Sequence, residues 1–117
     1  MRNPILIALV LLTMGGCTKK EAGGGGGVAP DPVVAQGRNV YAASCTACHN
    51  RDPAKDGALG PAVAGSSLEL LERRIVHGDY PEGYEPKRKS KVMVALPHLK
   101  GEIESLHKYL SSLTAPK

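Results

Sequence analysis

Cys45-Thr46-Ala47-Cys48-His49 is the stretch on which the reading of this chain turns. Two thiols one helical turn apart, with an imidazole directly after the second, form the C-x-x-C-H pattern of covalent c-type haem attachment. The spacing has a chemical reason. Thiols so placed can add to the two vinyl groups on neighbouring pyrrole edges of one porphyrin, and the adjacent His is carried beneath the iron to supply an axial nitrogen. Three other readings compete. A structural zinc site takes four protein ligands, and the chain has no second Cys pair. A thioredoxin-like C-x-x-C belongs in a βαβ context, which the surrounding residues do not offer. A disulfide between Cys45 and Cys48 would close a very small loop and stabilise little.

Working outward, the composition has a gap that a porphyrin would fill. The chain of 117 residues contains no Phe, no Trp and only four Tyr. Large aromatic side chains normally supply much of a core's buried area. Once the terminal segments described below are set aside, roughly 85 residues remain, a size at which the hydrophobic core alone is marginal. A flat aromatic cofactor, much larger than Trp, would take the place of the missing side chains.

The flanks of the motif read as helices and loops. Asp31-Pro32 combines an N-capping carboxylate with Pro at the first helical position, and Val33, Gly37, Val40, Tyr41 and Ser44 share a face. A helix is therefore expected over 32–46. Residues 50–65 carry Pro53, Gly57, Gly60, Pro61 and Gly65 and read as a loop. Ser66 and Glu69 have capping-box spacing, and Leu68, Leu71 and Ile75 keep helical period up to Gly78. Residues 79–92 are charged and rich in Pro and Gly, so an exposed loop is expected. Ile103, Leu106, Leu110 and Leu113 form the stripe of a last helix over about 101–113, whose only candidate cap is Gly101. The run Val92–Leu96 is the longest strand signal, and it is short. The fold class is all-α.

The N-terminus reads as an address and a tether. Met1-Arg2-Asn3 precedes an apolar run from Pro4 to Met14, followed by Gly15-Gly16-Cys17. The run is too short for a permanent spanning helix, which needs about 20 apolar residues. The box Met14-Gly15-Gly16-Cys17 resembles a bacterial lipoprotein signal, though that family usually has Leu where Met14 stands. The resemblance implies cleavage of residues 1–16 and acylation of Cys17. Several acyl chains on one residue make a stable anchor, at about 0.8 kcal/mol per buried methylene. Residues 17–30, with five consecutive glycines at 23–27, form a flexible tether. No Lys-Ser/Thr follows the glycines, so a phosphate-binding loop is excluded. Residues 31–117 are left as the folded domain.

A second axial ligand can be sought by elimination. Met is a common partner of His in electron-carrying haems and raises the reduction potential. Met1 and Met14 fall in the signal, which leaves Met93 as the single methionine of the processed chain. A lone Met is usually core filler, and only the haem motif turns it into a candidate ligand. His77, His98 and His107 are the rivals. His98, close to Met93 in sequence, is the strongest of them.

From about Pro32 to Leu113 the chain resembles the small monohaem class I cytochromes c. The matching pieces are Gly37 and Tyr41, CTACH at 45–49, Gly60-Pro61, the segment Met93-Val94-Ala95-Leu96-Pro97-His98-Leu99, and Leu106 with Tyr109-Leu110. CTACH is the specific element; the others count by their order. The sequence departs from the family at Val94, where Pro often follows the axial Met, and at the start of the last helix, which lacks the usual Ser-Asp. The resemblance implies three main helices wrapped around one covalent haem, with the first and last crossing near Gly37. It also implies packing of Tyr41 against the Leu106/Tyr109/Leu110 side. Pro61 would offer its carbonyl to the outer N–H of His49, which fixes the ring and raises its basicity. The cofactor-binding residues would then be Cys45, Cys48, His49, Met93 and Pro61, with His49 and Met93 on the metal.

The function expected from this reading is single-electron transfer between redox partners in the cell envelope, by a protein tethered to a membrane through lipid on Cys17. It is not an enzyme: a closed iron coordination sphere leaves no substrate site, and no Ser–His–Asp or paired-carboxylate arrangement is recognisable. Export implies the periplasmic face. Thr18 is not the Asp that the lipoprotein family associates with inner-membrane retention, which favours the outer membrane. The net charge is +4, and Lys87, Arg88, Lys89 and Lys91 concentrate positive charge just before Met93. Such a run is commonly a solvated face; its functional version is a patch that steers an acidic protein partner. The envelope location excludes nucleic acid. The alternatives are a haem enzyme or gas sensor with a labile sixth ligand, and an electron-transfer subunit of a larger respiratory or dehydrogenase complex.

Overall fold

The computed structural model describes residues 29–114. The signal segment 1–16, Cys17 and most of the tether lie outside the described residues, as do 115–117. Among the described residues there are three helices and no strand, which makes the domain all-α. No helix among them is long and apolar enough to cross a membrane.

Helix α1 spans Pro32–Ser44. The Asp31 carboxylate accepts from the Val33 N–H at 2.8 Å, and Pro32 occupies the first turn, where its missing N–H costs nothing. The helix stops two residues earlier than expected. Cys45 is its C-cap, and the motif continues as a turn in which the Cys48 and His49 N–H groups both donate to the Cys45 carbonyl, at 3.2 and 2.9 Å.

Helix α2 begins at Leu68 as an α-turn through Leu71 and continues in π conformation from Glu72 to His77. Its cap is Ser67, not Ser66: the Ser67 hydroxyl accepts from the Leu70 N–H at 3.2 Å, whereas Ser66 donates back to the Val63 carbonyl at 2.7 Å. Leu71 and Ile75 are buried, but Leu68, expected on the same face, is about half exposed. Gly78 ends the helix at φ +77°, a left-handed conformation that only glycine adopts without strain.

Residues 92–96 form no strand. Pro97 opens a 3₁₀ helix, Pro97–Glu102, that leads directly into α3, Ile103–Ser112. This lead-in explains why no side-chain cap was legible before Ile103: the 3₁₀ turns already engage the backbone. Ile103, Leu106 and Leu110 are buried as the stripe predicts, while Leu113 lies beyond the helix and is exposed.

Helices α1 and α3 pack directly on each other. At their crossing an added Cβ on Gly37 would overlap the Ser105 carbonyl and sit 2.8 Å from Tyr109 Cβ, so only glycine fits. One turn on, the Tyr41 and Tyr109 rings meet at 5.9 Å between centroids, tilted by 54°. The Gly65 N–H donates to the Leu110 carbonyl at 3.0 Å, pinning the end of the 50–65 loop to α3.

Candidate functional site

One cleft runs between these elements, and its volume is about 1010 Å³ with the open mouth included. Among the described residues, five of the seven side chains of the core cluster, Tyr41, Leu71, Ile75, Leu106 and Leu110, line it. The core and the cleft wall are therefore largely the same surface.

Cys45, Cys48, His49, Pro61 and Met93 all line this cleft, although Met93 is 44 positions from His49 in the chain. His77, His98 and His107 do not line it; the first two are exposed and the third sits half-buried on α3. Cys17 lies outside the described residues.

The loop after the motif is built to orient His49. The Gly60 N–H donates to the Cys48 carbonyl at 2.9 Å, and the Leu59 N–H reaches the same oxygen at 3.3 Å. The Gly57 N–H closes a tight turn onto the Gly60 carbonyl at 2.8 Å. The Asp56 side chain accepts from the Ala62 N–H at 2.7 Å, and Asn50 Nδ2 donates to the Asp56 carbonyl at 3.1 Å. The result places the Pro61 carbonyl 2.8 Å from His49 Nδ1. A carbonyl only accepts, so Nδ1 is the donor, and in the neutral imidazole Nε2 keeps its lone pair. Gly60 is needed for the same reason: a Cβ there would stand 2.6 Å from His49 Nδ1 and push the ring away.

Cys45 and Cys48 are free thiols, not bonded to each other. Burial pushes the Cys45 thiol up from its ordinary 9.0 to about 11, with Cys48 adding to the shift. At neutral pH this thiol stays protonated. Among the described residues no three His, Cys, Asp or Glu side chains converge to hold a metal. With no strand either, the zinc and thioredoxin readings have no support in the geometry.

Tyr41 seals the inner end of the cleft beside Cys45, and its hydroxyl donates to the Asn50 carbonyl at 2.6 Å. Burial, then the nearby Cys45, raises its pKa from 10.0 to about 12. The folded chain thus holds this proton more tightly than the unfolded one. The stability so contributed is whole below pH 10.0 and is lost as pH rises through about 12. Denaturant midpoints taken at stepped pH should fall over that interval, and Tyr41→Phe should make the fall shallower.

Three features of the cleft were not legible in the sequence. Tyr80 and Tyr84, stacked at 5.4 Å, line it from a segment that reads as solvated loop. Lys87 donates to the Ala62 carbonyl at 2.8 Å, and Arg88 to the Gly57 carbonyl at 3.0 Å, so two members of the basic run clasp the 57–62 loop. Only their residue types hinted at a role. Arg74, inside the π turn, reaches the Met93 carbonyl, and nothing in the helical period distinguishes it from its neighbours.

No family model, curated protein or solved structure matches this chain.

Proposed function

We propose that residues 31–117 form a class I cytochrome c domain that carries single electrons, with one haem held covalently by Cys45 and Cys48 and its iron ligated by His49 and Met93. The observation that carries this reading is the convergence on one apolar cleft of the C-x-x-C-H residues and the only methionine of the processed chain. The donor set fits the group: two thiols for thioether bonds, one imidazole with a free Nε2, and one thioether, a soft ligand that favours the reduced iron. A haem so held supplies a one-electron iron couple.

The chain's own residues have definable tasks. The Pro61 carbonyl keeps His49 in the Nδ1–H tautomer and prevents the ring from turning. Tyr41, Leu106 and Leu110, each no more than 3% exposed, exclude water from the inner end of the cleft. The 57–62 loop is held over the site by Lys87 and Arg88. Of the basic run this leaves Lys89 and Lys91 as exposed charges free of such bonds, next to exposed Val92. Those positions are the part of the patch suited to steer an acidic redox partner. Lipidation of Cys17 would tether the domain to the periplasmic face of a membrane, with the outer membrane favoured by Thr18.

The test is ligand binding by the loaded full chain. If His49 and Met93 close the coordination sphere, the ferrous protein binds carbon monoxide slowly and the ferric protein shows the weak far-red band of sulfur ligation. Met93→Ala should abolish the band and speed carbon monoxide binding. Rapid binding by the unaltered chain would favour a sensor or haem enzyme with a labile sixth ligand. Co-purification with large partner chains would favour a subunit of a respiratory or dehydrogenase complex.

A further inference from the structure

We infer that Arg74 is a positioning residue for Met93, clamping the backbone of the Met93 segment so that the thioether is held at the cleft. The inference rests on the proposed role of Met93 as an iron ligand.

Of the segment that carries Met93, the partly buried side chains of Met93 and Leu96 pack against the core. Residues 91–96 lie outside any helix. Val94 is 70% exposed and Ala95 is exposed too, so neither side chain packs the segment down. Val94 also lacks the ring that would restrict the backbone beside the ligand. Beyond that packing, two hydrogen bonds to α2 fix the backbone of the segment. The Leu96 N–H donates to the Ile75 carbonyl at 2.6 Å, and Arg74 Nη2 donates to the Met93 carbonyl at 2.7 Å. They bracket the four residues 93–96, one at each end.

Arg74 is itself preorganised for this contact. Its other terminal nitrogen, Nη1, donates to the Gly78 carbonyl at 2.7 Å, which closes the left-handed end of the π turn. Its guanidinium carbon lies 5.0 Å from the centroid of the Tyr80 ring. Among the described residues no carboxylate pairs with it, in contrast to Arg73, which pairs with Asp79 at 3.1 Å. The fork is thus committed to two carbonyls 15 positions apart, a geometry that lysine, with a single ammonium, cannot reproduce at both ends. The π turn adds a reason for its own presence. It sets Arg74 and the Ile75 carbonyl next to each other facing the Met93 segment, and such turns often occur at functional sites.

The test uses the loaded full chain and imidazole as a competing ligand for ferric iron. Imidazole must displace Met93, so its apparent affinity reports how firmly the segment is held. Hydrogen bonds from charged donors contribute enough that Arg74→Gln should tighten imidazole binding about tenfold or more, with a weakened far-red sulfur band. Arg74→Lys should fall between. Arg73→Gln, which removes only an exposed ion pair on the same turn, should stay within about twofold of the unaltered chain. The inference is overturned if Arg74→Gln leaves imidazole affinity within that same margin, whatever its effect on thermal stability. Should Arg74→Gln fail to fold, Arg74→Lys decides: unchanged affinity overturns the inference, and tighter binding supports it. Met93→Ala separates the two layers. If it binds imidazole no more tightly than the unaltered chain, the ligand assignment fails and the inference falls with it. If it binds more tightly while the Arg74 variants do not, only the inference fails.

Discussion

Gly37→Ala is expected to cost this domain about 3 kcal/mol or more, the upper part of the overpacking range, although helix propensity alone argues the opposite. Inside a helix an alanine is favoured over glycine by roughly 1 kcal/mol. Here the new methyl would overlap the Ser105 carbonyl and press on Tyr109 Cβ at 2.8 Å. The obstacle is backbone of α3, which cannot move aside as a flexible side chain can. Relief requires α1 and α3 to separate, which would also part Tyr41 from Tyr109 and open the inner end of the cleft. A domain of this size has only about 4–13 kcal/mol of stability in total, so the loss is a large fraction of it. In thermal unfolding of the loaded chain, the midpoint should drop by roughly 12 °C or more. Gly101→Ala is the control, because a Cβ there meets nothing within 4 Å, and its midpoint should hardly change. Equal midpoints for both variants would show that the helix crossing is not as close as described.

The second large effect is the loss of cooperative folding when covalent attachment is prevented. Among the described residues, Leu106 and Leu110 are the largest fully buried side chains, and both line the cleft. Of the core side chains among the described residues, Leu99 and Ile103 do not line it. A core arranged in this way has most of its apolar side chains in the wall of the cleft where the proposed haem would pack. The Cys45→Ala/Cys48→Ala chain should therefore keep no haem through denaturation, and its helical signal should melt broadly, with no single transition. Sharp two-state melting of that variant would mean that the seven buried side chains suffice by themselves.

Much of the site was legible because its elements are local. CTACH is contiguous, the Asp31-Pro32 start and the Ile103/Leu106/Leu110 stripe obey short-range rules, and Met93 stood out as the one methionine outside the expected signal. Gly37 carried its signal through the absence of a side chain where two helices must meet. What escaped the sequence is non-local or depends on fine geometry. Ser66 has the right spacing to Glu69 for a capping box, but Ser67 takes the cap because Ser66 is drawn back to Val63. A π turn and an α-turn place Leu71 and Ile75 alike on the buried side, so the period cannot separate them. The 79–92 segment has the composition of a solvated loop. Yet Lys87 and Arg88 donate to the carbonyls of Ala62 and Gly57, and pairings across 25 and 31 positions leave no trace in local pattern.

One measurement bears most directly on the account: the mass of the full chain, produced in a host equipped to attach haem and then denatured in organic acid. The account predicts that one haem stays with the chain under these conditions, on the peptide that contains Cys45 and Cys48, and that its reduced pyridine spectrum is that of haem with both vinyl groups saturated. A chain that runs at its bare mass, with both thiols still free to react, would contradict it.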